Sequence, residues 1–288
     1  MNKDFGKFIS FARLQLKTGD YDAHIPFLST LCDSMELSSD ERIWVGLLYM
    51  AYYTEGSMWR AWRSPGVRGR EKHPPLDLPI TTQRRNLYGG RIKKHLGELM
   101  EIKSLTDWVG EADSWDSLLK VLKRIYGNGR WASYTTAELL IRLTEKEGLE
   151  PTGFEILQSS GPKQGLEFLQ MPVAEKSALK ILRSMEQEEI EIPMSVLESL
   201  LCDWSGMNKG SFYAGRNIDR QQGRILHVEH LRSKKTGNAV RFKRLWKCRR
   251  KCFPKATLGE KNGWAGIDTK RLKAYRDSGK ILAPHEQR

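Results

Sequence analysis

Apolar residues recur along the chain mostly at the three-to-four-residue spacing of helices, and strictly alternating patterns are scarce before residue 205. Phe5, Phe8, Ile9, Leu14 and Leu16 mark a helix from about Asp4 to Lys17. Ser38 followed three residues later by Glu41 has the spacing of a capping box. It runs into Ile43, Trp44, Leu47, Leu48, Met50 and Ala51, which predicts a buried helix continuing into aromatic sequence through Tyr52, Tyr53, Met58, Trp59 and Trp62. Pro65, Gly66, Gly69, Pro74, Pro75 and Pro79 then predict a long irregular stretch, a common site of ligand contact. Further helices are expected over Gln83 to Ile102, Ser114 to Ile125, Ala132 to Lys146, Pro162 to Leu169, Ala174 to Gln187 and Pro193 to Asp203. Short strands are expected at Gly223 to His230 and Ala239 to Leu245. The fold class is mainly α: a helical core over 1–204 and a C-terminal segment over 205–288 packed on it.

Charge changes this picture in one region. The chain carries a net charge of +13, yet residues 205–288 hold 22 Lys and Arg against 6 Asp and Glu, which leaves the first 204 residues at −3. A cationic segment of that kind neutralises phosphates and releases their counterions, so a nucleic acid is the expected partner. No apolar run long enough to span a bilayer, export signal or lipidation motif is present, so no membrane association is expected. Cys32, Cys202, Cys248 and Cys252 are then expected as reduced thiols of a cytoplasmic or nuclear protein.

Three segments could carry chemistry. In the first, Gly127-Asn128-Gly129-Arg130-Trp131 lies between two helical patterns. Glycines in such a hairpin either let backbone N–H groups approach a phosphate, toward which the second helix turns its positive end, or simply make a turn between packed helices. The second, Ser159-Ser160-Gly161-Pro162-Lys163-Gln164-Gly165, offers hydroxyls, glycines and a cation to a phosphate or pyrophosphate, although it lacks the Lys-Ser or Lys-Thr ending of a P-loop. Ordinary helix initiation explains the same residues. In the third, Cys202-Asp203-Trp204 precedes Asn208-Lys209-Gly210-Ser211-Phe212-Tyr213-Ala214-Gly215-Arg216-Asn217-Ile218-Asp219-Arg220. Carboxylates, cations and aromatics there can supply a base, phosphate ligands and a stacking surface, or a solvated turn anchored by its aromatics.

The hairpin, over Ser117 to Leu143, resembles the helix-hairpin-helix element of the DNA glycosylase superfamily. That superfamily's catalytic Asp after the hairpin is missing, since the region reads Glu147-Gly148-Leu149-Glu150-Pro151-Thr152-Gly153 with Glu150 an imperfect substitute. Taken with the Ser-Gly-Pro-Lys-x-Gly segment, Cys-Asp-Trp, Tyr-x-Gly-Arg-x-Ile-Asp-Arg and the basic Arg84-Arg85-Asn86, the chain resembles the phage α-glutamyl/putrescinyl thymine pyrophosphorylases, or amino acid:DNA transferases. The resemblance implies a glycosylase-like helical scaffold in the host cytoplasm. The implied reaction displaces pyrophosphate from 5-pyrophosphoryloxymethyluracil in DNA with an amine or amino acid. It would assign leaving-group stabilisation to Lys163, Lys209 and Arg216, with Arg84 or Arg85 as further candidates. Asp203 or Asp219 would be the base, and Trp204 or Tyr213 would stack on an extruded base. Gly127, Gly129, Arg130, Arg84, Arg85, Arg241, Lys243 and Arg244 are the expected DNA contacts, the last three within a basic run from Arg241 to Lys251. Base excision on the same scaffold and nonenzymatic DNA binding stay open as alternatives. No motif requires a cofactor, although pyrophosphate chemistry is compatible with a divalent ion. Zinc on His227, His230, Cys248 and Cys252 is disfavoured because their separations fit no common finger.

Overall fold

The computed structural model describes residues 3–81, 87, 89–146, 149, 158–236 and 242–258. All regular structure among them is helical. In chain order the helices are α1 (Lys3–Thr18), α2 (His24–Asp33), α3 (Ser39–Tyr52), α4 (Glu55–Trp62), α5 (Gly90–Glu101), α6 (Leu105–Gly110) and α7 (Trp115–Lys123). They continue with α8 (Arg130–Thr144), α9 (Ser160–Phe168), α10 (Glu175–Glu186), α11 (Met194–Asn208), α12 (Arg216–Thr236) and α13 (Lys243–Cys252). None of the described helices is long and apolar enough to cross a membrane. Contacts divide the chain into two compact units, each discontinuous in sequence. The boundary expected at residue 204 falls inside α11.

The first unit comprises Met1–Ala23, Glu150–Arg220 and Phe253–Arg288. Its core gathers Phe8 and Phe11 of α1, Leu166 of α9, Ile181 and Met185 of α10, and Leu197, Leu200, Leu201 and Trp204 of α11. The apolar periodicity of these helices therefore converges on one core. Here α9 and α11 approach through glycines. A Cβ at Gly161 would lie 2.6 Å from Cys202 Sγ, and one at Gly165 would collide with the Leu201 carbonyl oxygen.

The second unit comprises His24–Leu149 and Gln221–Cys252. Its central helix α3 begins at the capping box expected from the sequence: Ser38 Oγ accepts from Glu41 N and Glu41 Oε2 accepts from Ser38 N at 2.9 Å. The helix does not run on through Tyr53. That residue turns left-handed at φ 53, and Thr54 starts α4 by accepting from Ser57 N. The irregular stretch after α4 is fastened down: Trp44 Nε1 donates to Val67 O at 2.8 Å, Tyr52 Oη to Pro75 O at 2.6 Å and Ser57 Oγ to Pro79 O at 2.7 Å.

Neither expected strand appears among the described residues. Gly223 to His230 lies within α12, where Ile218, Gln221, Gln222, Ile225 and Val228 are buried at helical spacing. Val228 closes on α4 so tightly that a Cβ at Gly56 would sit 2.8 Å from its own. Of Ala239 to Leu245, residues 243–245 open α13 and 239–241 lie outside the described residues.

Candidate active site and nucleic-acid contacts

Four aspartates gather in the first unit. Asp20, just past α1, is fully buried; its Oδ2 accepts from Gly215 N at 2.8 Å and its Oδ1 from Ile218 N at 3.0 Å. It therefore caps α12 from a distant part of the chain, where the helix dipole favours an anion. Asp22, held left-handed at φ 40, accepts from Ser199 Oγ. Ser199 and Asp203 stand four residues apart on α11 and so share a face. Asn217 of α12 ties the group together, its Nδ2 donating to Asp20 O at 3.0 Å and to Asp203 Oδ2 at 3.3 Å. Asp219 is buried and accepts from Tyr213 Oη at 2.9 Å.

The proton affinities follow from this crowding. Burial, and then the charges of Asp20 and Asp22, push the Asp203 carboxyl well above the ordinary carboxylate range; Arg216 and the Asn217 hydrogen bond oppose the rise. Asp20 is pushed up to about 6 by burial, against the Ile218 and Gly215 N–H groups, with Asp219 adding to the rise. Burial likewise raises Asp22, and its Ser199 hydrogen bond resists. A half-buried carboxylate with a raised proton affinity is suited to accept a proton near neutral pH. Asp203, one of the two carboxylates the sequence offers as a base, is thus placed among other carboxylates with its proton affinity raised. Asp20, Asp22, Ser199 and Asn217 were not singled out, although Gly19 followed by Asp20 at the end of α1 was a usable turn signal.

The cations are less uniformly assembled. Arg216 lies within electrostatic reach of Asp203, with its guanidinium 5.7 Å from the Phe212 ring centroid and its buried Nε without a hydrogen-bond partner. Lys209 Nζ donates to Gln164 Oε1, which Ser205 Oγ also reaches at 3.4 Å, so Lys209 is brought to α9. Lys163 is half-buried on the same helix. The expected phosphate loop around it is instead largely α9 itself, because Gly161 and Gly165 are taken up by packing on α11.

Trp204 and Tyr213 are not presented for stacking. The Trp204 ring packs against Phe8 at 5.7 Å and Phe11 at 5.6 Å and is 3% exposed, whereas Tyr213 is 1% exposed with its hydroxyl on Asp219. Both serve the core of the first unit.

In the second unit, α7 and α8 flank the glycine hairpin. Gly127 has φ 83, and a Cβ there would meet Leu87 Cδ2 at 2.7 Å, so both backbone and space demand glycine. The turn is fixed by His95 Nδ1 against Tyr126 O at 2.6 Å, by Tyr126 N donating to Glu98 Oε2 at 2.6 Å and by Asn128 Nδ2 donating to Leu122 O at 2.9 Å. Gly129 is the exposed N-cap of α8 and makes no side-chain cap, with Lys123, Arg124 and Arg130 exposed around it. That is a helix N-terminus with the charge and access an anion needs.

On α13, Lys243, Arg244, Lys247, Arg250 and Lys251 are exposed while Leu245 and Cys248 are buried. Cys248 Sγ lies 3.3 Å from Ser34 Oγ, just past the end of α2. His227 and His230 are exposed on α12, and among the described residues no group of three or more His, Cys, Asp or Glu is arranged to hold a metal. Arg84, Arg85, Glu150 and Arg241 lie outside the described residues.

No curated protein matches the chain. A protein-family model does: residues 93–211 match the family described as amino acid:DNA transferase. The matched stretch takes in the hairpin, Lys163, Asp203 and Lys209 and ends before Arg216 and Asp219. Those residues form an amino acid:DNA transferase domain, and with it the chain is a transferase acting on DNA.

Proposed function

We propose that the enzyme displaces pyrophosphate from 5-pyrophosphoryloxymethyluracil in DNA with an amine or amino acid. The observation that carries this reading is Asp203, a half-buried carboxylate with raised proton affinity, within electrostatic reach of the Arg216 guanidinium. The incoming ammonium gives a proton to Asp203, and the freed nitrogen lone pair forms a C–N bond at the base methylene as the C–O bond breaks. The electron pair of that bond leaves with pyrophosphate, whose developing charge Arg216, Lys163 and Lys209 stabilise. The new secondary ammonium then sheds its proton to water. The hairpin around Gly129 and Arg130 and the cationic face of α13, with Lys243 and Arg244, hold the phosphate backbone.

The test is to incubate the enzyme with DNA bearing radiolabelled 5-pyrophosphoryloxymethyluracil and a panel of amines and amino acids. Amine-dependent pyrophosphate release together with a heavier nucleoside is expected. Release without a new nucleoside, or a new nucleoside from DNA lacking the pyrophosphate, would overturn the reading.

A further inference from the structure

Trp204 and Tyr213 are buried in a core, whereas a different set of aromatics is only partly so. In the second unit four rings form a continuous chain. Trp131, directly after the hairpin, meets Tyr53 edge to face at 5.4 Å; Tyr53 lies 5.5 Å from Tyr49; and Tyr49 stacks on His24 at 5.1 Å with only 14° between the planes. The outer members Trp131 and Tyr53 are half-buried, while Tyr49 and His24 are buried. At the inner end, His24 is 7% exposed and its Nε2 is buried without a hydrogen-bond partner. Buried polar atoms are rarely left so, and an orphaned ring nitrogen beside half-open aromatic rings marks a place for a polar, planar ligand.

Two other features narrow the ligand. Tyr53 keeps a left-handed backbone at φ 53, which a side chain other than glycine tolerates only when its surroundings hold it there. The Arg224 guanidinium beside Tyr49 and Tyr53 is already engaged by Glu55, donating at 2.8 Å and 2.7 Å to its two carboxylate oxygens. The charges in this place are thus matched to each other, which suits a neutral ring better than an ion. Trp131 also follows Arg130, the first residue of α8 after its exposed N-cap Gly129, so a base leaving a strand held there has rings within one residue of its phosphate contact.

We propose that Tyr53 and Trp131 are the stacking surface for a nucleobase lifted out of the bound DNA strand, with His24 Nε2 supplying a hydrogen bond to the edge of that base. The proposal rests on DNA being the bound polymer. Photocrosslinking with DNA carrying 5-iodouracil, followed by mass spectrometry of the adduct, reads it directly, because crosslinking favours a stacked aromatic ring. Adducts are expected at Trp131 or Tyr53. Trp131→Leu should cut their yield about tenfold, Trp131→Phe should keep most of it, and DNA binding through phosphates should persist in both. Adducts elsewhere, such as at Trp246 of α13, or an undiminished yield in Tyr53→Leu/Trp131→Leu, would overturn the proposal while leaving pyrophosphate displacement untouched. Absence of DNA binding by the unmodified protein would instead overturn the proposal together with the polymer assignment.

Discussion

The two units bury charge in opposite ways. In the second, Glu55 is fully buried and meets the Arg224 guanidinium through both oxygens, so each charge is cancelled where it lies. In the first, Asp20, Asp22, Asp203 and Asp219 crowd together; Arg216 is the cation that pulls down the Asp203 proton affinity, and backbone N–H groups hold Asp20. A matched buried pair fixes structure, because removing either partner strands the other's charge. A surplus of buried carboxylates raises their proton affinity, an arrangement suited to acid-base chemistry. On the proposed reaction, proton transfer falls to the first unit, and the buried pair of the second is scaffolding.

The sharpest way to break that assignment is Asp203→Asn, which should lower the rate of amine transfer about a thousandfold with DNA affinity unchanged, as measured by single-turnover kinetics and a binding titration. An Asn variant as fast as the parent would remove Asp203 from the chemistry. Glu55→Gln should act on stability instead, costing about 3 kcal/mol in denaturant unfolding because it strands a buried guanidinium.

Acid should separate the units in sign. Burial, reinforced by Arg224, lowers His24 from its ordinary 6.5 to about 3, so its contribution to stability is present above pH 6.5 and lost as pH falls toward 3. By pH 5 the loss is about 2 kcal/mol, and His24→Asn should abolish it. Asp20 works in reverse: raised from 3.8 to about 6, it contributes stability that is full below pH 3.8 and lost as pH rises through 6. Lowering the pH to 5 should recover about 1 kcal/mol. Hydrogen exchange, corrected for intrinsic rate, should therefore show the slowest core amides of the first unit gaining protection and the α2 amides losing it. The smallest effect expected is at the surface, where Lys243→Ala should weaken DNA binding at every sequence and lower the salt slope by about 1.

Local signals made much of this fold legible. Ser38 and Glu41 announced α3, and Ser114, Pro193 and the apolar spacing of residues 174–187 placed α7, α11 and α10 within a few residues of their ends. The break at Tyr53 was invisible because neither glycine nor proline marks it; only tertiary packing selects a left-handed tyrosine. The strand reading of 223–230 failed for the opposite reason, since a short apolar run has no decided period until a partner such as Gly56 meets one face. At the site, Asp203 and Arg216 were readable as chemistry-bearing types in a compact motif. Asp20 was not, because its partners at Gly215 and Ile218 lie 195 and 198 residues away along the chain. Trp204 and Tyr213 misled because an aromatic beside a carboxylate reads the same whether it faces solvent or the core.

The glycine seam between α9 and α11 acts as a ruler. Where Gly165 abuts the Leu201 carbonyl, main chain meets main chain with no side chain between, so the spacing of the two helices does not depend on any rotamer. Lys163 and Asp203 stand on those two helices, on either side of that contact. Their attachment points are therefore insulated from repacking elsewhere in the unit, and one methyl group at position 165 would change the gauge of the whole site.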